Sequence, residues 1–169
     1  MWLESEINCG SLFSFTLPIE FTSSPRNKAV MQSNKRVSEI ELQNFLLNKT
    51  VLVVDDFEHN IYLLRSMFEK SGSNVYEAQS GEQALEMLRH QHFDLILLDI
   101  RLKGINGFET ARRMRSLGVK STIVAHTAYL LDNNREEALK AGCNEFFTKP
   151  IGREELITLI GQVIQTRNS

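Results

Sequence analysis

Two runs of four apolar residues with no polar interruption, Val51-Leu52-Val53-Val54 and Leu95-Ile96-Leu97-Leu98, do most to limit what this chain can fold into. A strand with one wet face alternates apolar and polar residues, so an unbroken run belongs to a strand covered on both faces. Such strands lie inside a parallel sheet with helices packed on each side. Each run ends in acid: Asp55 and Asp56 follow the first, Asp99 the second. Lys149 follows a third hydrophobic stretch and precedes Pro150. In an open parallel sheet the carboxyl ends of the strands form the ligand crevice. Carboxylates crowded there repel one another, and a hard cation such as Mg²⁺ relieves the repulsion. A lysine beside them completes what a phosphoryl group requires.

The rest of the region from Thr50 to Thr166 alternates strand and helix signals. Strands are expected at Thr50–Val54, Asn74–Ala78, Asp94–Leu98, Ser121–Ala125 and Glu145–Thr148. Between them, Asn60–Lys70 carries Ile61, Leu64, Met67 and Phe68 at helical spacing and stops at Ser71-Gly72. Ser80 and Gln83 form a capping box ahead of Ala84, Leu85 and Leu88. Phe108–Leu117 ends at Gly118, Asn133–Ala141 ends at Gly142, and Glu154–Gln165 is a final amphipathic helix. The pattern predicts an α/β fold: a doubly wound, five-stranded parallel sheet of flavodoxin-like (βα)5 type, with an N-terminal extension.

That extension reads differently. Residues 1–19 suggest two strands, Trp2–Ser5 and Leu12–Leu17, around Gly10-Ser11. Two strands bury too little to stand alone, so this piece is expected to need a partner or to be a disordered tail. Residues 20–49 read as a linker: Thr22 to Lys28 is polar and breaker-rich, and Ser38 with Glu41 caps a short helix carrying Leu42, Phe45 and Leu46.

With 169 residues, 42% of them hydrophobic, 24% charged and a formal net charge of −2, the chain lacks the basic footprint of a nucleic-acid binder. No apolar stretch approaches the roughly 20 residues that cross a bilayer. The acidic start, Met1 to Glu6, does not read as a signal peptide. Cys9 and Cys143 follow no metal or redox spacing and read as reduced cytosolic thiols.

The motifs VLVVDD, LILLDIRLKGINGFE, IVAHTA and FFTKP, in this order at the predicted strand ends, resemble the receiver domain of two-component response regulators over residues 50–166. The resemblance implies that Asp99 is the phospho-acceptor. It implies Mg²⁺ held by Asp56 directly, by Asp55 through water, by Asp99, and by the backbone carbonyl of Arg101. Lys149 is expected to pair with a phosphoryl oxygen across a commonly cis Lys149-Pro150 bond. Thr127 is expected to contact the phosphoryl group and, with Phe146 at the aromatic switch position, to report its presence. Leu102-Lys103 stands where the family often has Met-Pro, which implies an altered loop with intact chemistry. Phe146 lacks the hydroxyl of the tyrosine often found there, so switching is expected to rely on ring burial.

LESEINCGSLFSFTLPIE resembles, more weakly, the last strand pair of a histidine-kinase ATP-binding domain. Gly10, Ser11, Phe13, Phe15, Leu17 and Pro18 match that pattern, and Asn8 replaces its first glycine. Together the resemblances imply the C-terminal part of a cytoplasmic hybrid sensor histidine kinase, whose parent could be attached to a membrane. The fragment itself is expected to have no kinase activity, no nucleic-acid partner and no membrane contact. Its expected partners are a histidine-kinase phosphohistidine domain or a histidine phosphotransfer protein. The chain stops near the end of the fifth helix, so output is expected through protein contacts, and strand exchange at the N-terminus would give a homodimer.

The reaction implied is phosphoryl transfer to Asp99, with onward transfer or slow hydrolysis. One alternative is a Mg²⁺-dependent aspartyl-phosphate phosphatase, but Asp99-Ile100-Arg101 lacks the second acid such enzymes use. Another is an adaptor that works without phosphorylation. Taken singly the residues have bland readings: Asp55 and Asp56 as helix caps, Asp99 as a loop acid, Lys149 as a surface lysine. Their coincidence at three strand ends outweighs those readings. His59, His90, His92 and His126 show no metal spacing and are expected at the surface or partly buried, with His126 nearest the site. Arg101 and Tyr129 are expected to flank the path of an attacking water.

Overall fold

The computed structural model describes residues 2–6, 10–14, 46–128 and 134–167. The chain divides into two units, Met1–Lys35 and Arg36–Ser169. In the first, β1 (Trp2–Glu6) and β2 (Gly10–Ser14) pair antiparallel, in register from Trp2 opposite Ser14 to Glu6 opposite Gly10. The second strand therefore begins earlier than the expected Leu12, and residues 15–17 fall outside the described residues. So do the expected linker and short helix as far as residue 45, and Tyr129.

In the second unit the apolar runs form strands, as their lack of alternation requires. The elements run β3 (Thr50–Val54), α1 (Glu58–Glu69), β4 (Asn74–Ala78), α2 (Gly81–His90), β5 (Leu95–Asp99), α3 (Gly107–Ser116), β6 (Thr122–Thr127), α4 (Asn134–Lys140), β7 (Glu145–Thr148) and α5 (Arg153–Arg167). The sheet is parallel, in the order β4-β3-β5-β6-β7. This is the expected flavodoxin-like sheet, with its switch point between β3 and β5.

The period-2 alternation of strands divides the core into two layers. Leu52, Val54, Ile96, Leu98, Ile123 and Ala125 pack against Ala84, Ala111, Met114 and Ala138 of α2, α3 and α4. Val51, Val53, Leu95, Leu97 and Val124 pack against Ile61, Leu64 and Phe68 of α1 and Leu156 and Ile160 of α5. Extending the second set by one strand step gives Asp55, Asp99 and His126, so all three belong to the α1/α5 side.

Several boundaries differ from the sequence expectation for identifiable reasons. Asp94 precedes β5 because its carboxylate accepts bonds from the Thr50 N–H and hydroxyl, both at 2.9 Å. Asp99 instead pairs with His126, and Thr127 with Thr148, so β5 and β6 reach the functional residues. Ser80 caps α2 by accepting from the Gln83 N–H at 3.2 Å, but the Gln83 side chain reaches the Gln79 N–H at 2.8 Å instead of closing the box on Ser80.

Arg115, in the last turn of α3, locks the far end of the sheet. Its guanidinium donates to the carbonyls of Gly142 (2.8 Å), Val119 (2.6 Å) and Ser121 (2.9 Å) and to Asn144 Oδ1 (2.8 Å). Charge-assisted bonds to partly buried carbonyls are costly to remove because the acceptors lose their partner. Arg115→Ala should lower the free energy of unfolding by about 2 kcal/mol, read as a lower urea midpoint; an unchanged midpoint would show that water replaces the lock.

Candidate functional site

The carboxyl ends of β3, β5 and β7 deliver the central side chains. Asp55 still belongs to the ladder through its N–H, which donates to the Ala78 carbonyl at 3.1 Å. Its fully buried carboxylate turns back over the start of α1, where Oδ1 accepts from the Phe57 N–H at 2.9 Å. Asn60 Nδ2 donates to both oxygens, at 3.0 and 3.1 Å. Asp55 thus serves the helix start and the site at once, and Asn60 is a partner the sequence reading missed. The signal available was its position in the first turn of the following helix.

Asp99 closes β5, and its Oδ1 accepts from the Arg101 N–H at 3.0 Å. Gly107, the first residue of α3, lies so close that a Cβ there would be driven into the Asp99 carbonyl oxygen. Only glycine lets α3 start at that distance. Where Leu102-Lys103 departs from the family pattern, Glu82 of α2 shapes the loop by accepting from the Ile105 N–H at 3.1 Å.

Lys149 joins the two acids. Its ammonium lies 2.6 Å from Asp55 Oδ2 and 2.8 Å from Asp99 Oδ2, anchored by its own N–H donating to the Thr127 carbonyl at 2.7 Å. The Lys149-Pro150 peptide is cis. Asp56 sits further out, with the exposed Lys103 ammonium 3.4 Å away. Thr127 is buried at the end of β6 on the same strand face as Ala125, and Phe146 is half-buried and packs on that α2/α3/α4 layer, opposite to the face of Asp55 and Asp99. Asp55, Asp99 and Lys149 are in direct contact; Asp56, Arg101 and Thr127 border them, and Phe146 lies on the other side of the sheet.

Three carboxylates stand here against one close ammonium and one exposed lysine. Their oxygens are the hard donors that Mg²⁺ prefers, and a divalent ion would bring the charge near balance, so Asp55, Asp56 and Asp99 fit such a cation. A cavity of about 500 Å³ opens beside them. Asp56, Asp99 and Lys149 are among the residues that line its polar part, and Phe57, Leu63, Met67, Phe147 and Ile151 among those that line its apolar part.

His126 departs from expectation. It is wholly buried, because the strand alternation turns it inward to stack on Phe147 with ring centroids 5.3 Å apart. Among the described residues neither ring nitrogen has a hydrogen-bond partner. Burial pushes the imidazole from 6.5 down to about 3; the Lys149 ammonium adds to the effect and Asp55 opposes it. The ring is therefore neutral, and its 4.0 Å approach to Asp55 Oδ2 is not an ion pair. Cys143 is also buried, and desolvation pushes its thiol up to about 11, which leaves it unreactive.

Residues 51–161 match the response regulator receiver domain family. The chain belongs to that family. It is a receiver of two-component signalling, with the flavodoxin-like sheet that such receivers share. Over 163 residues it is 32% identical to the sensor protein EvgS of Escherichia coli, a match covering 96% of this chain and 13% of EvgS. It is 33% identical over 116 residues to the polar-differentiation response regulator DivK of Brucella ovis, covering 68% of this chain and 94% of DivK. Among solved structures, the receiver domain of the sensor histidine kinase PA1611 from Pseudomonas aeruginosa superposes with a TM-score of 0.64 at 32% identity. That match covers 70% of this chain and 98% of the PA1611 domain, which was solved with a magnesium ion in its active-site cleft. Among the described residues no helix is long and apolar enough to cross a membrane.

The depressed imidazole sets a pH dependence of stability. Between about pH 6.5 and 3 the unfolded chain takes up a proton that the folded receiver refuses, so stability falls as pH drops through that window. In metal-free buffer the loss should be about 1.2 kcal/mol between pH 6 and 5, above the range where carboxylates dominate. His126→Leu should abolish that slope and raise the urea midpoint at pH 5. An equal slope in both proteins would show that the ring protonates in the folded state.

Proposed function

We propose that this receiver accepts a phosphoryl group on Asp99 in a Mg²⁺-dependent reaction and passes it to a histidine phosphotransfer partner or loses it slowly to water. The observation that carries the reading is the single Lys149 ammonium shared by Asp55 and Asp99 at the mouth of a cavity. An Asp99 oxygen forms the new P–O bond as the P–N bond of a phosphohistidine breaks, and the leaving imidazole is protonated from water. Bound Mg²⁺ would neutralise charge on the phosphoryl oxygens. Asp55, Asp56, Asp99 and the Arg101 carbonyl would hold the ion, while Lys149 steadies a phosphoryl oxygen and the Thr127 hydroxyl donates to another. Thr127 and Phe146 then carry the switch to the surface.

The apolar part of the cavity fits the approach of a helical, phosphohistidine-bearing partner. Phe57 and Leu63, 62% and 45% exposed, flank the acidic opening. As for organisation, residues 50–169 act as the receiver, 20–49 as a linker, and 1–19 as the closing strand pair of a histidine-kinase ATP-binding domain. The similarity to EvgS supports this, because it spans 163 residues and so runs past the receiver match. The chain then works as the cytoplasmic, C-terminal part of a hybrid sensor kinase, and strand exchange through β1 and β2 would pair two copies.

Intact mass after incubation with Mg²⁺ and acetyl phosphate tests the reaction: the wild-type chain should gain about 80 Da, one phosphoryl group. Asp99→Asn should gain nothing and Lys149→Ala markedly less; full incorporation into Asp99→Asn would refute the assignment. Leu63→Glu should leave labelling by acetyl phosphate unchanged while slowing transfer from a phosphohistidine protein about tenfold, a loss of about 1.4 kcal/mol. Equal slowing with both donors would place Leu63 in the chemistry and not in docking.

A further inference from the structure

We infer that Asp55, Asp99 and His126 form a site for a borderline divalent transition cation such as Zn²⁺, with His126 as a nitrogen donor that the phosphoryl reaction does not use. One ligand atom from each of the three residues lies within 4.8 Å of the other two. The three come from β3, β5 and β6, which are adjacent in the sheet, and Asp99 and His126 are register partners. His126 is completely buried, both of its nitrogens lack a partner, and Nδ1 faces Asp55 Oδ2 at 4.0 Å. A polar ring held dry with its bonding unmet costs stability unless something binds it. Stacking on Phe147 fixes its direction.

Carboxylates alone suit Mg²⁺, whereas adding a neutral imidazole shifts preference toward Zn²⁺ and its neighbours. Zn²⁺ sits about 2.0–2.1 Å from such ligands, which spaces them about 3.3 Å apart in a tetrahedron. The ligand atoms, within 4.8 Å of one another and 4.0 Å apart for His126 and Asp55, therefore need to close by up to about 1.5 Å. The Lys149 ammonium holds Oδ2 of Asp99 and Oδ2 of Asp55, the oxygen that His126 Nδ1 faces, so the ion and the ammonium compete. Because Asp99 and Lys149 line the cavity, withdrawal of the lysine opens the path from solvent. One consequence rests on the phosphoryl-acceptor reading: Zn²⁺ bound to Asp99 opposes phosphorylation.

The test is calorimetric titration of the whole, metal-stripped chain with Zn²⁺ and separately with Mg²⁺, alongside ¹⁵N spectra of the histidine rings. The wild-type chain should bind one Zn²⁺ at least about tenfold more tightly than His126→Leu, while Mg²⁺ affinity differs less than about twofold. A double variant, His90→Asn with His92→Asn, should keep the Zn²⁺ affinity, and the buried His126 nitrogens should shift on adding Zn²⁺. Equal Zn²⁺ affinity in His126→Leu, or loss in the surface variant, means an adventitious ion only and overturns the proposal. If His126→Leu does not fold, the ¹⁵N shift in the wild-type chain decides. Labelling by acetyl phosphate with Mg²⁺ in zinc-free buffer separates the readings: its failure counts against the phospho-acceptor, not against the Zn²⁺ site.

Discussion

One ammonium shared between two buried carboxylates is the interaction on which the rest of this structure depends. Lys149 reaches Asp55 and Asp99 at 2.6 and 2.8 Å, across 94 and 50 residues of sequence. Removing such charges from water is expensive, and an unpaired buried carboxylate costs more than the pair returns. The arrangement is tenable only if three strand ends arrive together with little freedom. The parallel sheet supplies that placement, and three local devices tighten it. Asn60 holds both oxygens of Asp55 from α1, Gly107 lets α3 start against Asp99, and the Thr127 carbonyl fixes the backbone of Lys149.

His126 shows the opposite economy. Its neighbours on the same face, Val124 and Phe147, are apolar and well packed, and an apolar side chain would suit the position. The chain instead keeps an imidazole there with both nitrogens unpartnered. Stability is lost at a place where a donor atom faces the acidic cluster, the usual relation between a site and its scaffold.

Much of this was legible in the sequence because the physics is local to each run. The unbroken apolar stretches at 51–54 and 95–98 can only be doubly covered strands, and a polar residue at such a strand's end must face the crevice. What the sequence could not show depends on pairing across the sheet. The length of β6 is set by Asp99 and Thr148 on its neighbours, so the expected end at Ala125 fell two residues short. The depth of His126 follows from alternation, but only once β6 is known to reach it. The roles of Glu82 and Arg115 are contacts with segments remote in sequence or turned back in space, and no residue-type pattern marks them.

In the proposed reaction the reacting carboxylate is Asp99, with Asp55 and Asp56 kept as unmodified supports. Reducing the phosphorylated protein with borohydride and mapping its peptides by mass tests this most directly, because only the side chain that carried the acyl phosphate becomes an alcohol. Reduction is expected at Asp99 alone, in amounts that match the phosphoryl content before treatment. Reduction at Asp55 or Asp56, or phosphoryl content with no reduced aspartate, would contradict it.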